Sequence, residues 1–292
     1  MHSFTIKDLE NLSGIKAHTI RIWEQRYNFL KPARTGTNIR YYTNDELKKL
    51  LNVALLNKYG FKISHIDKMS EKEMQDKILA LAQMEAQQER IVHELIETMV
   101  DLNLERFESI LDNYIQSRGV ERTIMQVIFP FLEKIGILWI TNHINPAQEH
   151  LVSNIIRQKL IMGIENAGRT SIRINKTVLL FLPEGEYHEI GLLFMNYLLK
   201  TRGINTIYLG CCIPVSDLEY VVKMKKPDYL YTHLTSVAPR FNFDRFVQSL
   251  GKAFPAMPII LSGQLAHFEK KIQPPLVFKR SFGEVMDFVA SI

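Results

Sequence analysis

The stretch Val178-Leu179-Leu180-Phe181-Leu182-Pro183-Glu184-Gly185-Glu186-Tyr187-His188-Glu189-Ile190-Gly191 decides the fold. Its first five residues are apolar without a break, which suits a short buried strand. A polar loop carrying one histidine follows, and an apolar helix start comes next. Further strand candidates are Thr206–Leu209, Tyr229–Leu234, Ile259–Ser262 and Leu276–Phe278. Amphipathic helices fill the gaps. That alternation predicts an α/β doubly wound parallel sheet over 175–292.

Upstream the texture changes twice. Residues 71–170 are rich in Glu, Gln, Leu, Ile and Met, with few Gly or Pro. Apolar residues recur there at helical spacing, as in Ile91, Leu95, Met99 and Val127, Phe131, Ile135. The pattern predicts a helical bundle, with Gly168 and Arg169 to Lys176 as its linker to the sheet. Residues 1–70 predict short helices broken at Arg34-Thr35-Gly36-Thr37-Asn38. The chain is thus expected to be multi-domain, with parts at 1–70, 71–170 and 175–292.

Charge is unevenly placed. Residues 1–68 hold twelve Lys/Arg against six Asp/Glu, while the whole chain is only +5. The positive excess sits in the first segment, as phosphate-backbone binding requires. No apolar run approaches the ~20 residues that span a bilayer, so no membrane role is expected. The first twelve residues lack the apolar core of a signal peptide. The two cysteines are neighbours, Cys211-Cys212. With no other partner they suit a reduced, cytoplasmic setting, and they read as small buried strand-end residues.

Thr5 predicts an N-cap for a first helix whose inner face is Leu9, Leu12, Ile15 and Ile20, with Gly14 at the turn. A second helix is expected over about His18 to Tyr27, which is helix-turn-helix spacing. Trp23 and Tyr27 lie one turn apart and are expected in the core. His18-Thr19-Ile20-Arg21-Ile22-Trp23-Glu24-Gln25-Arg26-Tyr27, then Pro32, Arg34-Thr35 and Arg40-Tyr41-Tyr42, resembles the winged-helix domain of the MerR family over about residues 4–68. Lys16, His18, Thr19 and Arg21 at the start of the second helix are expected to reach the major groove. Arg34, Thr37, Arg40 and Tyr41 in or beside the wing are expected to hold phosphates. The resemblance implies double-stranded DNA with a pseudo-palindromic operator as partner, and a homo-oligomer, dimer or tetramer.

The later segments resemble the cobalamin-dependent photoreceptors of the MerR family, the CarH and LitR type. Their bundle carries Trp-x9-Glu-His, matched here by Trp139, Glu149 and His150. The resemblance implies that these residues cap the upper, adenosyl face of the corrin ring, with Trp139 shielding the adenosyl group and Glu149 hydrogen-bonding it. Their flavodoxin-like, cobalamin-binding sheet domain carries Asp-x-His-x-x-Gly after the first strand. Here it reads Glu186, His188 and Gly191. His188 is then the lower cobalt ligand, Glu186 the acceptor for its far nitrogen, and Gly191 the small residue that lets the helix approach the ring. Thr232, Leu234, Ser262 and Gly263 match the positions that line the nucleotide tail. Three departures stand out: Glu186 replaces Asp, Gln264 replaces a second Gly, and Ile140 replaces the His that follows the Trp in the photoreceptors. His143 is the nearby alternative ligand.

The resemblance implies a transcription regulator, a repressor rather than an activator by family analogy, that responds to adenosylcobalamin and light and is not an enzyme. Two other readings share these residues. One is a cofactor-free MerR-type regulator that keeps the fold for oligomerisation. The other is a corrinoid methyl carrier, which the DNA-binding head argues against.

Overall fold

The computed structural model describes residues 4–27, 29–34, 38–81, 84–140, 144–167, 173–235, 241–267 and 275–292, except the side chains of 84, 85, 137–140, 266 and 267. Thr37 and His143 lie outside the described residues. The chain divides into two compact units, Met1–Ile155 and Ile156–Ile292.

In the first unit, α1 (Ile6–Ser13) starts at Thr5, whose side chain accepts from the Asp8 backbone while Asp8 reaches back. This capping box satisfies orphan amides at the helix start. Gly14 ends the helix at φ 73°, a left-handed conformation that costs glycine nothing. Then come α2 (Ala17–Arg26) and a wing of two antiparallel strands, β1 (Ala33–Arg34) and β2 (Arg40–Tyr41). Next are α3 (Asn44–Lys58), the single turn α4 (Ile63–Ile66) and α5 (Glu71–Leu79). Leu9, Leu12, Ile20 and Trp23 are buried, as the sequence requires. Ile15 and Tyr27 are half-buried, with Tyr27 stacked on Phe29 at 6.0 Å.

The bundle is α6 (Met84–Val100), α7 (Leu104–Arg118), α8 (Val120–Thr123), α9 (Phe129–Ile140) and α10 (Pro146–Ala167), the last of which runs on into the second unit. A π-helical stretch, Ile124–Ile128, joins α8 to α9. Leu95, Met99, Val127, Phe131 and Ile135 are buried, and Phe107 packs on Phe131 at 5.5 Å. Removing one such aromatic costs about 3–5 kcal/mol, so Phe131→Ala tests this core. Ile91 is half-buried, because the buried stripe of α6 passes through Val92, Leu95, Ile96 and Met99.

The second unit holds β3 (Ile174–Pro183), α11 (Ile190–Thr201), β4 (Ile204–Ile213), α12 (Val215–Lys225), β5 (Tyr229–His233), α13 (Phe243–Ala253), β6 (Ile259–Ser262), β7 (Leu276–Phe278) and α14 (Phe282–Ser291). The strands are parallel, in the order β4-β3-β5-β6-β7. All five strand expectations find their strand, and β3 and β4 run longer than the apolar cores suggested. Because β3 begins at Ile174, the end of the expected linker is sheet. Side-chain alternation explains the two faces. Val178, Leu180 and Leu182 pack with Leu192, Met195, Phe288 and Val289. Leu179 and Phe181 pack with Leu218, Phe246 and Leu250. Cys211 and Cys212, expected to be buried, are both half-buried. They sit at the exposed end of edge strand β4, where no further strand covers them. The strand order reverses beside β3, so the crevice at the carboxyl ends of β3 and β5 is where such sheets bind ligands.

Candidate functional site

The loop from Glu186 to Gly191 lies at that crevice. Glu186 is fully buried. Its Oε1 accepts from the backbone amides of Tyr187 and His188, each at 2.9 Å, and lies 2.6 Å from Nδ1 of His188. Its Oε2 accepts from the Thr235 amide at 3.0 Å. One carboxylate therefore folds the loop and ties it to the end of β5. Because Oε1 is already the acceptor for two N–H groups, Nδ1 of His188 must be the donor in that pair. In the neutral ring this contact selects the tautomer with its proton on Nδ1 and its lone pair on Nε2, the form that a metal ligand needs. The His188 side chain is about half exposed, 52%. Glu replaces Asp here without loss of the contact to the histidine.

Glu189, which the sequence reading passed over, holds the loop's far side. Arg157 pairs with it at 2.6 Å and the Tyr208 hydroxyl donates to it at 3.2 Å. Burial and then this carboxylate push the Tyr208 phenol well above its ordinary range.

His233 is the second residue that sequence reasoning missed. Its Nδ1 lies 2.9 Å from Ser262 Oγ, which also bonds the Tyr231 hydroxyl at 2.6 Å. A Cβ built on Gly191 would sit 2.3 Å from the His233 ring. Gly191 thus makes room for His233, and the cradle above it is filled by this chain's own imidazole. Burial lowers the His233 pKa to about 4, a shift that Glu186 partly offsets, so the ring is neutral at neutral pH. A lone His between Thr232 and Leu234 carries no spacing signal.

Of the other expected residues, Thr232 is fully buried and its Oγ1 has no hydrogen-bond partner. A buried hydroxyl left this way calls for a ligand group or water. Leu234 lies in the apolar cluster under α12 and α13, and its amide donates to the Ser262 carbonyl at 2.9 Å. Gly263, at φ 93°, has the Leu234 carbonyl oxygen 2.4 Å from any added Cβ, so only glycine fits. Gln264 is exposed. A cleft of about 510 Å³ opens beside Glu184, Gly185, Phe241 and Arg245. None of the sequence-predicted residues line it.

In the first unit, Trp139 belongs to α9 but its side chain lies outside the described residues. Glu149 opens α10, bonded to Ser153 and paired with His150 at 3.1 Å. The His150 side chain is 74% exposed. Glu149 therefore serves its own helix turn.

On the head, Lys16 caps α2 and pairs with Glu10 at 3.4 Å, while His18 and Arg21 are exposed and Thr19 is half-buried. Arg34 is exposed and donates to Asn38 at 2.7 Å. Tyr41 is half-buried in β2. Arg40 bonds Glu24 at 2.9 Å, and the Tyr42 hydroxyl bonds the same carboxylate. Glu24 thus pins the wing to α2, and part of the Arg40 fork is committed to that contact.

Comparison with known proteins bears on the head and the bundle. Residues 4–73 match the MerR HTH family regulatory protein model, and residues 91–162 match a B12 binding domain model. The chain thus carries a MerR-type DNA-binding head followed by a B12-binding-type region, the make-up of a transcription regulator. It is 28% identical to the HTH-type transcriptional repressor CarH of Myxococcus xanthus, over 92% of either chain. It is 25% identical to CarA of the same organism, over 88% of this chain and 85% of that one. In structure, it resembles a monomethylamine corrinoid protein of Methanosarcina barkeri, with a TM-score of 0.55 at 12% identity over 70% of this chain and 99% of that one. That likeness concerns the fold.

The residues present fit a cobalamin: His188 would supply an imidazole to its cobalt, and Glu186 would orient that ring. The unpartnered Thr232 hydroxyl fits a polar group of the ligand. The cradle on Gly191 is filled by His233 and must be vacated for a ligand to use it.

Proposed function

We propose that this protein is a repressor whose grip on its operator depends on adenosylcobalamin and is released by light. The observation that carries this reading is the Glu186–His188 pair at the switch point of the sheet. A buried carboxylate is costly unless hydrogen-bonded, and here four donors hold it against Nδ1 of His188, the arrangement of an imidazole and its orienting acceptor. The names of the two Myxococcus relatives support repression.

Bound adenosylcobalamin supplies a cobalt–carbon bond that light can break. Around it, His188 would ligate the cobalt and Glu186 would keep the ring's proton on Nδ1. Thr232, Leu234, Ser262 and Gly263 take the nucleotide tail. Trp139, Glu149 and His150 cap the adenosyl side. That cap is the contact that differs between the two ligand states, and a ligand shifts an equilibrium only through such a difference. The residue after Trp139 is Ile140, which has no donor atom for cobalt. We read residues 1–70, 71–170 and 175–292 as the head, the cap and the cofactor domain of a cytoplasmic homo-oligomer, a dimer or tetramer. Lys16, His18, Thr19 and Arg21 meet the bases of a pseudo-palindromic operator, while Arg34, Thr37, Arg40 and Tyr41 hold its backbone.

Fluorescence anisotropy on DNA taken from upstream of the protein's own coding sequence tests this. Binding is expected to be tight with adenosylcobalamin in the dark and to weaken after green light. Equal affinity without cofactor, with it, and after light would establish a cofactor-free regulator instead.

A further inference from the structure

A different feature lies one strand away. Phe181 of β3 pairs with Gly210 of β4, and Pro183 pairs with Ile213. Between these pairs the single residue Leu182 faces two, Cys211 and Cys212. This is a β-bulge on the edge strand, at the carboxyl end of the sheet. Bulges re-aim side chains that strict alternation would send to opposite faces. Cys212 has φ 59°, a left-handed conformation that is unfavourable for a non-glycine residue. Such outliers concentrate at ligand clamps and switch regions.

The result is a pair of half-buried thiols, with Cys212 near enough to Cys211 to help hold its thiol protonated. The Cys212 sulfur also reaches the Glu186 carbonyl at 4.0 Å. Tyr187 is 68% exposed, and Cys212 raises its phenol above the ordinary value. Burial, with the nearby Glu189 carboxylate, raises the Cys211 thiol above its ordinary value and keeps it protonated at neutral pH.

Two alternatives are weaker. A disulfide between neighbours is strained, because adjacent Cα atoms stand ~3.8 Å apart and disulfides usually span about 4.4–6.8 Å. A zinc cage needs four donors, and among the described residues no group of three His, Cys, Asp or Glu can hold a metal ion. What remains is a pair of neighbouring thiols on a bulge, suited to a bent acceptor that takes two sulfurs at once.

We propose that Cys211 and Cys212 form a binding site for a trivalent, thiophilic metalloid of the arsenite class. With an arsenic oxide the two thiols form two arsenic–sulfur bonds. The arsenic–oxygen bond breaks, and the oxygen leaves as water carrying both thiol protons. Arsenic stays trivalent, so no oxidant is needed. Because the Cys212 sulfur meets the Glu186 carbonyl, loading the site is expected to disturb the loop that carries His188.

The probe is phenylarsine oxide, applied to the pre-reduced full chain. Intact-mass measurement then follows the adduct during challenge with 2-mercaptoethanol. The native chain is expected to keep one phenylarsenic group and to need on the order of 10²-fold more monothiol for release than Cys211→Ser or Cys212→Ser. Circular dichroism shows whether both variants stay folded. If a variant unfolds, the native chain is compared with itself in urea, and retention in the native state at least equal to the unfolded state is expected. Release at the same monothiol concentration as the folded single variants would overturn the proposal. So would retention by the unfolded chain alone, since the bulge would then be splaying the pair.

Discussion

Two acidic residues in matching motif positions behave differently. Glu186 follows a strand, is fully buried, and binds three backbone amides and an imidazole. Glu149 opens a helix, and its described partners are Ser153 and His150, both within one turn. The first is organised by the sheet before any ligand arrives. The second keeps local company and must turn to a new partner to act. In the proposed reading, the preformed Glu186–His188 end would supply affinity, while Glu149 would supply discrimination between ligand states.

Acid separates the regions most strongly. Burial, reinforced by Lys134 and Lys58, lowers His93 in the bundle to about 3. Burial also lowers His233 beside the loop to about 4. Both folded values lie below the ordinary 6.5, so the unfolded chain binds these protons first. Their stabilisation is complete above pH 6.5 and is lost as pH falls toward 4 for His233 and 3 for His93. Each costs up to about tenfold in the folding equilibrium per pH unit. Burial raises Glu97 to about 7, so its contribution has the opposite sign: it is present below 4.5 and lost as pH rises through 7. Urea titrations from pH 7 to 4 are expected to show falling stability, with a shallower slope in His93→Leu. An unchanged slope would show that His93 is not the group responsible.

The next effect is His188→Ala, expected to cut cobalamin affinity by more than about 100-fold, beyond the range for an outer partner. Equilibrium dialysis checks it. Glu186→Gln keeps an acceptor for the loop amides but weakens the hold on Nδ1, so a loss of about 10–100-fold is expected. An unaltered affinity would reduce Glu186 to a loop-folding role. Smallest is Glu149→Ala, expected to cost about fivefold for adenosylcobalamin, the worth of one hydrogen bond, and nothing for hydroxocobalamin. Equal losses for both forms would remove Glu149 from the adenosyl side and erase the contrast.

What could be read in advance followed from local periodicity. The apolar runs of β3 and β5 are bounded by Pro, Gly and polar residues, so their strands were legible. The Thr5 cap and the Glu186, His188, Gly191 spacing were legible for the same reason. What could not be read depends on which strands meet. His233 fills the space above Gly191 only because β5 lies beside β3. The Cys211–Cys212 bulge exists only in the register of β3 against β4. Glu24 and Arg40 are sixteen residues apart, and nothing in their spacing announces that a carboxylate fixes the wing. Glu189 likewise needs Arg157 from the preceding helix. The π-helical turn at Ile124–Ile128 has its mark just beyond it, in Pro130, which lacks the N–H that a regular helix would aim at the Gln126 carbonyl.

The most direct test is a visible spectrum. The protein is mixed with adenosylcobalamin in the dark, desalted, and measured before and after green light. Wild type is expected to stay coloured and to change its spectrum on illumination, while His188→Ala elutes colourless. A colourless wild type, or a coloured His188→Ala with the same spectrum, would contradict the assignment of His188 as the lower ligand and with it the central claim.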